Sequence, residues 1–273
     1  MSTTRPRWAL VTGASSGIGR AFAERLAADG FSVVLVARRA PVLEELARQL
    51  VARYGIEAEV VSANLESDEG IGRAEEALMS RAVEVLVNAA GFGVPSDFAD
   101  ASLESQLRLV RLHVVAAVRL CHLAARRMRE RKQGAIVNVA SIGAFIPRPG
   151  DAVYGATKSF LVTFSRALAD ELAPGGVRVQ ALCPGFTRTG FHSAPAYERL
   201  DIPGRMPRWA WMEPDAVVAS SLRALRRGPT LVIPGLRNRV LVIAARLGLG
   251  GLLVRWLNRR VLGHQAQGPE TRA

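Results

Sequence analysis

The sequence predicts an α/β fold, a Rossmann-like doubly wound parallel sheet of about seven strands with helices on both faces and an extra C-terminal helical tail. Short apolar runs alternate with segments of helical periodicity, which is typical of such a sheet. A glycine-rich stretch follows the first apolar run directly. The 273 residues suffice for one sizeable domain but would be cramped for two. We therefore expect one domain.

The N-terminal part of the chain shows the alternation most clearly. Residues 8–11 are a predicted strand, and 18–29 is a predicted helix that Gly30 ends. Residues 31–37 are nearly all apolar, as expected of a parallel strand covered on both faces. Apolar side chains at spacings of three and four predict a helix over 41–54.

The same alternation continues through the rest of the chain. Further strands are predicted at 57–62, 83–88, 135–140, 177–183 and 231–233, and further helices at 67–81, 103–131, 153–172 and 215–227. No internal repeat or low-complexity linker interrupts the series. We expect a single domain over 1–234, with a lid at 186–212, and a basic, apolar helical tail over 235–273 that is not an independent domain.

The charge distribution bounds the partners. The formal net charge is +12, and nine arginines but no acidic residue lie between Asp215 and Glu270. Such a segment is compatible with nucleic acid, an anionic membrane surface or a solvated helix face. The sequence lacks zinc-ligand spacing, a helix-turn-helix pattern and an aromatic RNA platform, so we expect neither a nucleic-acid partner nor a metal site.

The two cysteines and the N-terminus indicate a compartment. Cys121 and Cys183 are isolated, which predicts no disulfide framework and fits a reducing cytoplasm. The apolar run at 8–11 is far too short for a signal peptide. We therefore expect a cytoplasmic protein.

The stretch from Thr12 to Gly19 reads TGASSGIG and lies between the first predicted strand and the first predicted helix. In a doubly wound sheet this turn is where a dinucleotide's pyrophosphate docks, because glycines let the backbone approach and the helix N-terminus offers free N–H groups. Three glycines alone would be weak evidence, but this position strengthens it. The expected cofactor contacts are Gly13, Ser15, Ser16, Gly17, Ile18 and Gly19.

The end of the second predicted strand indicates which dinucleotide binds. Arg38 and Arg39 stand there. An acidic residue at this position would bond the 2′-hydroxyl of NAD, whereas an arginine accommodates the 2′-phosphate of NADP. The sequence therefore favours NADP(H) over NAD(H).

Three residues predict the chemistry. Only two of the 36 Lys and Arg residues are lysines, and one of them, Lys158, follows Tyr154 by four positions in a predicted helix. Residues four apart share a helix face, and a nearby ammonium favours the phenolate. The tyrosine can then serve as a proton donor to a carbonyl oxygen. Ser141, directly after a predicted strand, would stabilise charge on that oxygen.

In this combination of motifs the chain resembles the short-chain dehydrogenase/reductase family in its compact single-domain form, and most of all its bacterial DltE-like reductases. The resemblance runs from about Ala9 to Pro234. It implies a nicotinamide-dependent oxidoreductase in which Lys158 also bonds the nicotinamide ribose. Further cofactor contacts that it implies are Asn64, Leu65, Asn88, Ala90, Gly91, Pro184, Gly185 and Thr187, besides Tyr154 and Lys158.

One residue departs from the family pattern. The family has a catalytic asparagine on its long central helix, where this sequence has His113. In the family that asparagine helps to hold a water that links the lysine to solvent. A histidine could relay protons itself, since its pKa is about 6.5, or it could be a packed helix residue with no kinetic role. Both interpretations stay open at the level of sequence.

The predicted lid suggests an apolar substrate. Aromatic and thioether side chains concentrate between 186 and 212, in a chain that is only 6% aromatic. An alternative is that these side chains only pack the lid onto the core. We expect a lipophilic ketone, aldehyde or 3-oxoacyl compound as substrate, in a pocket formed by Phe92, Phe145, Phe186, Phe191 and Trp209.

The tail beyond Pro234 admits three interpretations. Residues 236–263 predict a helical hairpin or a broken helix, and the longest uncharged run, 247–254, is too short to span a bilayer. The tail is an interfacial helix on an anionic membrane, a dimer or lid element, or a cover for the protein's own core. The family resemblance implies a homo-oligomer, either a dimer or a tetramer.

Taken together, the sequence predicts an NADPH-dependent carbonyl reductase or alcohol dehydrogenase. Two alternatives from other classes remain. One is an NADP(H)-binding regulatory protein whose catalysis is weakened through His113. The other is a peripheral membrane protein that interacts mainly through its basic tail.

Overall fold

The computed structural model describes residues 6–191, 197 and 201–249. In this part of the chain seven strands form one parallel sheet in the order β3-β2-β1-β4-β5-β6-β7. The strands are β1 (Trp8–Thr12), β2 (Ser32–Ala37), β3 (Ala58–Ser62), β4 (Val83–Asn88), β5 (Gly134–Val139), β6 (Val177–Leu182) and β7 (Leu231–Val232). The predicted doubly wound parallel sheet is confirmed.

The helices connect the strands in the predicted alternation. They are α1 (Gly17–Ala28), α2 (Ala40–Tyr54), α3 (Asp68–Ser80), α4 (Leu103–Val110), α5 (Ala116–Glu130), α6 (Ala152–Leu172), α7 (Ile202–Arg205), α8 (Pro214–Arg227) and α9 (Leu236–Ala244). Short 3₁₀ turns lie at Ile142–Ala144, Ala173–Gly175 and Arg208–Ala210, and a π-helical turn at Ala245–Leu249 follows α9. None of the helices in these residues is both long and apolar enough to cross a membrane.

Alternating side chains of the strands build a core on each face of the sheet. Leu10 and Ile136 pack on one face with the apolar sides of α3, α5 and α6. Val11 and Val137 pack on the other face with α1, α2 and α8. Because both faces are covered, the open ends of the strands are where functional loops gather.

The predicted helix over 103–131 is not continuous. A π-helical turn, Arg111–Val115, separates α4 from α5, and the Ala116 amide donates to the Arg111 carbonyl. Such a turn adds one residue to a helix, and it is a difference from the single α-helix that the apolar spacing predicted. It carries His113 on its inner side, where that side chain is 2% exposed.

Candidate active site

A cavity of about 1860 Å³ opens at the carboxyl ends of the strands. It lies across β1 and β4, the neighbouring strands from which the strand order runs in opposite directions. In open α/β sheets this switch point is where ligands bind. Its walls come from the loops after the strands, from residues of 186–212 and from α9.

The β1–α1 turn forms one end of the cavity. Gly13 and Gly17 have φ angles of 68° and 57°, which favour glycine. A Cβ on Gly19 would lie 2.4 Å from the Gly13 carbonyl oxygen, so only a glycine lets α1 start this close to the turn. Ser16 caps α1 without a side-chain hydrogen bond, and no acidic residue lies in the first turn. The helix N-terminus therefore offers free N–H groups and a positive dipole to an anion, which fits a dinucleotide pyrophosphate.

The two arginines after β2 differ in what they contact. The Arg39 guanidinium donates to the Ser15 hydroxyl at 3.0 Å and to the Ser15 carbonyl at 3.3 Å. Arg38 donates to Glu66 at 3.2 Å, and Glu66 also binds Arg108. Arg39 and Ser15 thus form a cationic, hydrogen-bonding corner beside the cofactor loop, whereas Glu66 partly neutralises Arg38.

Most of the other predicted cofactor residues line the same cavity. They are Asn64, Leu65, Ala90, Gly91, Pro184, Gly185 and Thr187. Asn88 does not line it: the Asn88 amide donates to Asn138 at 2.8 Å and to the Cys121 thiol at 3.3 Å. The Asn88 side chain thus points sideways along the sheet toward β5 and α5, and its contact with the cofactor stays a prediction.

The three predicted catalytic residues come together at the centre of the cavity. Tyr154 and Lys158 lie one turn apart on α6, with the Lys158 ammonium 5.7 Å from the centre of the Tyr154 ring. Lys158 donates to the Val139 carbonyl at 3.0 Å, which fixes its side chain at the end of β5. Ser141 follows β5 and accepts a hydrogen bond from the Gly143 amide at 3.0 Å. Its hydroxyl and the Tyr154 ring lie side by side, since a Cβ added to Gly143 would be 3.3 Å from the one and 3.6 Å from the other.

Burial is the main cause of the shifted pKa values of Tyr154 and Lys158. Burial raises the pKa of the Tyr154 phenol to about 12, although the neighbouring Ser141 hydroxyl acts in the opposite direction. Burial lowers the pKa of the Lys158 ammonium to about 8. The phenol pKa thus lies above its usual value rather than below it as expected, and at neutral pH the tyrosine is protonated beside a charged lysine.

His113 lies beside this group rather than in the cavity. Its Nδ1 is 3.0 Å from the Thr157 hydroxyl on α6, and its Nε2 accepts the Phe92 amide hydrogen at 3.3 Å. Its ring centre is 5.8 Å from that of Tyr154. Burial and the neighbouring Lys158 hold the pKa of His113 well below its usual 6.5.

The part of the cavity beyond Tyr154, which we call the substrate half, is largely apolar. Phe92, Phe186, Phe191 and Trp209 line it, and the Phe191 ring centre is 6.0 Å from that of Tyr154. Phe145 is not among the residues that line this cavity, and its role as a pocket residue stays a prediction. The Phe145 side chain packs against a core cluster around β6 and α6, with the Arg246 guanidinium 4.9 Å above its ring.

Sequence reasoning missed several residues of the cavity. Ile146 takes the place expected for Phe145, because the 3₁₀ turn before it directs residue 146 inward. Arg148 also lines the cavity and pairs with Asp151. The side chain of Asn238 on α9 packs against Gly185, where a Cβ would meet its Oδ1 at 2.5 Å. The apolar spacing that continues beyond residue 234 was the available signal for α9; for Arg148 there was none.

The fold and this arrangement agree with comparisons against known proteins. The family model described as short chain dehydrogenase matches residues 7–197. The chain belongs to this family of short-chain dehydrogenases/reductases.

Curated relatives within the family carry differing descriptions. The chain is 34% identical to the human inactive hydroxysteroid dehydrogenase-like protein 1 over 215 residues, which are 78% of this chain and 63% of that protein. It is 33% identical to very-long-chain 3-oxoacyl-CoA reductase-B of Danio rerio over 201 residues, 72% of this chain and 64% of that protein. The chain thus spans less than two thirds of the length of these relatives.

Solved structures resemble the chain over nearly its whole length. A short-chain dehydrogenase from Sphingobium yanoikuyae in complex with NADPH has a TM-score of 0.79 and 34% identity, covering 97% of this chain and 100% of that one. The bulky-bulky ketone specific alcohol dehydrogenase from Comamonas testosteroni has a TM-score of 0.76 and 31% identity, covering 98% of both.

Proposed function

We propose that the protein is an NADPH-dependent oxidoreductase that transfers hydride between the nicotinamide and a carbonyl or secondary alcohol of an apolar substrate. One observation carries this proposal. Ser141 and Tyr154 lie side by side, with Lys158 one turn away, where the anion-binding helix end and the apolar half of one cavity meet. A protein that only bound a nucleotide would have no use for this trio at that junction.

The preference for NADP(H) rests on Arg39 and Ser15. Their contact places a guanidinium and a hydroxyl beside the cofactor loop at the end of β2. A 2′-phosphate is a dianionic acceptor that suits the forked donors of arginine. The NADPH in the similar Sphingobium yanoikuyae structure supports the same preference.

The residues divide the reaction between them. NADPH, when bound, supplies the hydride that reduces the carbonyl carbon. Tyr154, protonated at neutral pH, gives its proton to the carbonyl oxygen, and Ser141 donates a hydrogen bond to that oxygen as negative charge develops. Lys158 stabilises the phenolate that remains and binds the cofactor ribose. Oxidation of an alcohol runs through the same groups in reverse.

The substrate we propose is a lipophilic ketone, aldehyde or 3-oxoacyl compound. Four aromatic side chains and Ile146 form the walls beyond Tyr154. The cavity volume of about 1860 Å³ leaves ample room beside a dinucleotide for a large substrate. The descriptions of the Danio rerio and Comamonas testosteroni proteins name substrates of these kinds, a very-long-chain 3-oxoacyl compound and a bulky ketone.

A panel of carbonyl compounds graded in chain length and bulk tests this function. NADPH oxidation by purified protein should rise in kcat/KM with apolar size, because each buried methylene contributes about 0.8 kcal/mol. Equal turnover of small polar and large apolar carbonyls would contradict the apolar pocket. NADH in place of NADPH should raise KM for the cofactor.

The alternative is a catalytically weak, NADP(H)-binding regulatory protein. The human relative described as inactive and the histidine at position 113 favour it. Tight NADPH binding without turnover across the whole panel would select this alternative. Turnover with any member of the panel would exclude it.

A further proposal concerns peripheral binding to an anionic membrane. The α9 helix and the turn after it carry exposed apolar side chains, Leu236, Val240, Ile243 and Leu247, with exposures between 57% and 75%, and Leu236 and Val240 also line the cavity. Arginines 237, 239 and 246 flank them, which suits an anionic surface. Co-sedimentation with anionic but not neutral liposomes, lost in Val240→Ser/Ile243→Ser, is the expected result. A protein that stays in the supernatant with both would contradict it.

The remaining expectations from the sequence stay predictions. We propose a cytoplasmic homo-oligomer of the DltE-like group, with a domain over 1–234 and a dependent tail over 235–273. Residues 250–273, including the second half of the predicted hairpin, lie outside the described part of the chain. Light scattering on the purified protein measures the oligomeric state, and a monomer would contradict this proposal.

A further inference from the structure

We propose that His113 is a neutral positioning residue held in its Nδ1–H tautomer, which ties the loop after β4 to the catalytic helix and sets the place of Phe92 in the substrate half. It would not relay protons. This inference rests on the proposed function for its kinetic consequence, but the tautomer itself is independent of any activity.

The hydrogen bond between His113 and Thr157 shows whether the Nδ1 atom of the ring carries a hydrogen. The Thr157 hydroxyl donates its single hydrogen to the Tyr154 carbonyl at 2.8 Å. Toward His113 the same oxygen can therefore only accept, and the His113 Nδ1 at 3.0 Å must be the donor. This step fixes a hydrogen on Nδ1.

The loop after β4 assigns the other nitrogen. The Phe92 backbone N–H, which can only donate, points at His113 Nε2 at 3.3 Å. Nε2 must therefore present its lone pair and carry no hydrogen. Two independent contacts on opposite sides of the ring thus define the same neutral tautomer.

The groups around the His113 ring and its burial disfavour protonation of the ring. A hydrogen on Nε2 would face the Phe92 N–H and break that bond. The titratable groups around the ring are Lys158 and Tyr154, both on α6, and the positive charge of Lys158 disfavours a second cation nearby. The ring is 2% exposed, so no solvent compensates. A residue that neither gains nor loses a proton cannot pass one on.

The same bonds connect the substrate wall to the catalytic helix. Phe92 lines the cavity, with its ring centre 6.2 Å from that of His113 and the Arg108 guanidinium 5.5 Å from it. A Cβ on Gly91 would lie 2.9 Å from His113 Nε2, so the loop packs directly against the ring. Through Thr157 the ring also contacts the helical turn of Tyr154. His113 therefore sets the spacing between Phe92 and Tyr154.

The tautomer can be read directly by nuclear magnetic resonance of protein labelled with ¹⁵N histidine. The chain has four histidines, and His113→Asn identifies the signal of His113. If that variant fails to fold, single replacements of the other three histidines by glutamine identify it by elimination. We expect the Nδ1–H form, unchanged between about pH 5.5 and 8. An Nε2–H form, or a titration within that range, would overturn the proposal.

Kinetics separate positioning from relay. Thr157→Val leaves the Nδ1–H of His113 without its acceptor, and Thr157→Ser keeps the hydroxyl. We expect KM for the bulkiest substrate to rise roughly tenfold in Thr157→Val and in His113→Asn, with kcat changed less than about threefold. Thr157→Ser should restore the wild-type KM. An ionisation near the usual histidine pKa in the wild-type profile that disappears in His113→Asn would show a relay and refute the proposal.

Discussion

The two halves of the cavity are built in different ways. The cofactor half is built around backbone groups at strand ends and a helix N-terminus, with side chains such as Arg39 and Ser15 at its edge, and glycines such as Gly13 and Gly19 leave no space for a side chain. The substrate half consists of side chains from separate segments, among them Phe92, Phe191 and Trp209. A site made of backbone is determined by the fold, whereas a site made of side chains can change while the fold stays.

This difference implies that the halves should respond separately to mutation. Substitutions in the cofactor half should weaken NADPH binding for every substrate. Substitutions in the substrate half should change which carbonyl is accepted and leave the NADPH dissociation constant unchanged. Tyr154 and Lys158 lie where the two halves meet, and their substitution should change the rate of the reaction itself.

The largest effect on binding is expected for Gly19→Ala. The new Cβ would lie 2.4 Å from the Gly13 carbonyl oxygen and 3.0 Å from the Thr12 carbonyl oxygen, so the backbone itself must shift. We expect NADPH affinity to fall by at least about 100-fold and stability by about 1–3 kcal/mol, as overpacking does. Fluorescence titration with NADPH and thermal unfolding measure the two.

Gly72→Ala is the matched control for this change. Gly72 also lies in a helix, α3, but nothing is within 4 Å of its added Cβ. The control should be neutral or gain up to about 1 kcal/mol from helix propensity. Equal NADPH affinities for the two variants would show that the glycine loop does not hold the cofactor.

The second effect is on cofactor choice. Arg39→Leu removes the guanidinium beside Ser15, and we expect NADPH affinity to fall about 10- to 100-fold while NADH affinity stays within about twofold. Arg53→Leu makes the same charge change at the far end of α2, where Arg53 is exposed, and should alter neither affinity. A parallel loss of NADPH and NADH affinity in Arg39→Leu would refute a role in 2′-phosphate recognition.

The ionisation of Lys158, which lies where the two halves meet, should change how the free energy of unfolding depends on pH. Burial lowers the pKa of Lys158 from 10.5 to about 8 in the folded protein. The unfolded chain therefore binds more protons between these pH values, and the free energy of unfolding rises with pH there. Relative to Lys158→Met, wild-type protein should gain roughly 2 kcal/mol between pH 8 and 10. Parallel stability curves for the two proteins would contradict this ionisation.

The smallest effect is expected for Trp209→Ala in the substrate half. Trp209 is 59% exposed and lines the cavity, so its loss removes part of one wall. We expect kcat/KM for the largest apolar carbonyls to fall about 5- to 10-fold, with no change for small ones or for NADPH binding. Phe98→Ala is the control, because Phe98 is 63% exposed but lies outside the cavity wall. A loss shared by small carbonyls would argue against a substrate-size role.

The contrast between the halves also explains what the sequence could predict. The sheet, the cofactor loop, Ser141, Tyr154 and Lys158 follow from short motifs at fixed places relative to strands, and backbone geometry carries them. Residue types alone could not show that Phe145 turns away from the cavity while Ile146 turns in, since a single 3₁₀ turn decides it. Asn88 fits a family motif, but its side chain bonds across to Asn138.

Other features of the site depend on residues that are close in space but distant in the sequence. The π-helical turn at His113 was not predicted from the sequence, and the partners of the histidine ring lie 21 and 44 residues away along the chain. The pairing of Glu66 with Arg38 and Arg108 likewise joins three distant segments. These contacts depend on which loops the sheet brings together, which a single sequence does not encode in any local pattern.

The most direct test of the proposed reaction compares wild-type protein with Tyr154→Phe. Both NADPH binding and NADPH oxidation with the best carbonyl of the panel are measured. The variant lacks only the phenol hydroxyl, the proposed proton donor. We expect turnover to fall by at least about 1000-fold while the NADPH dissociation constant changes less than about threefold. Turnover within about tenfold of wild type would contradict the proposed reaction at this site.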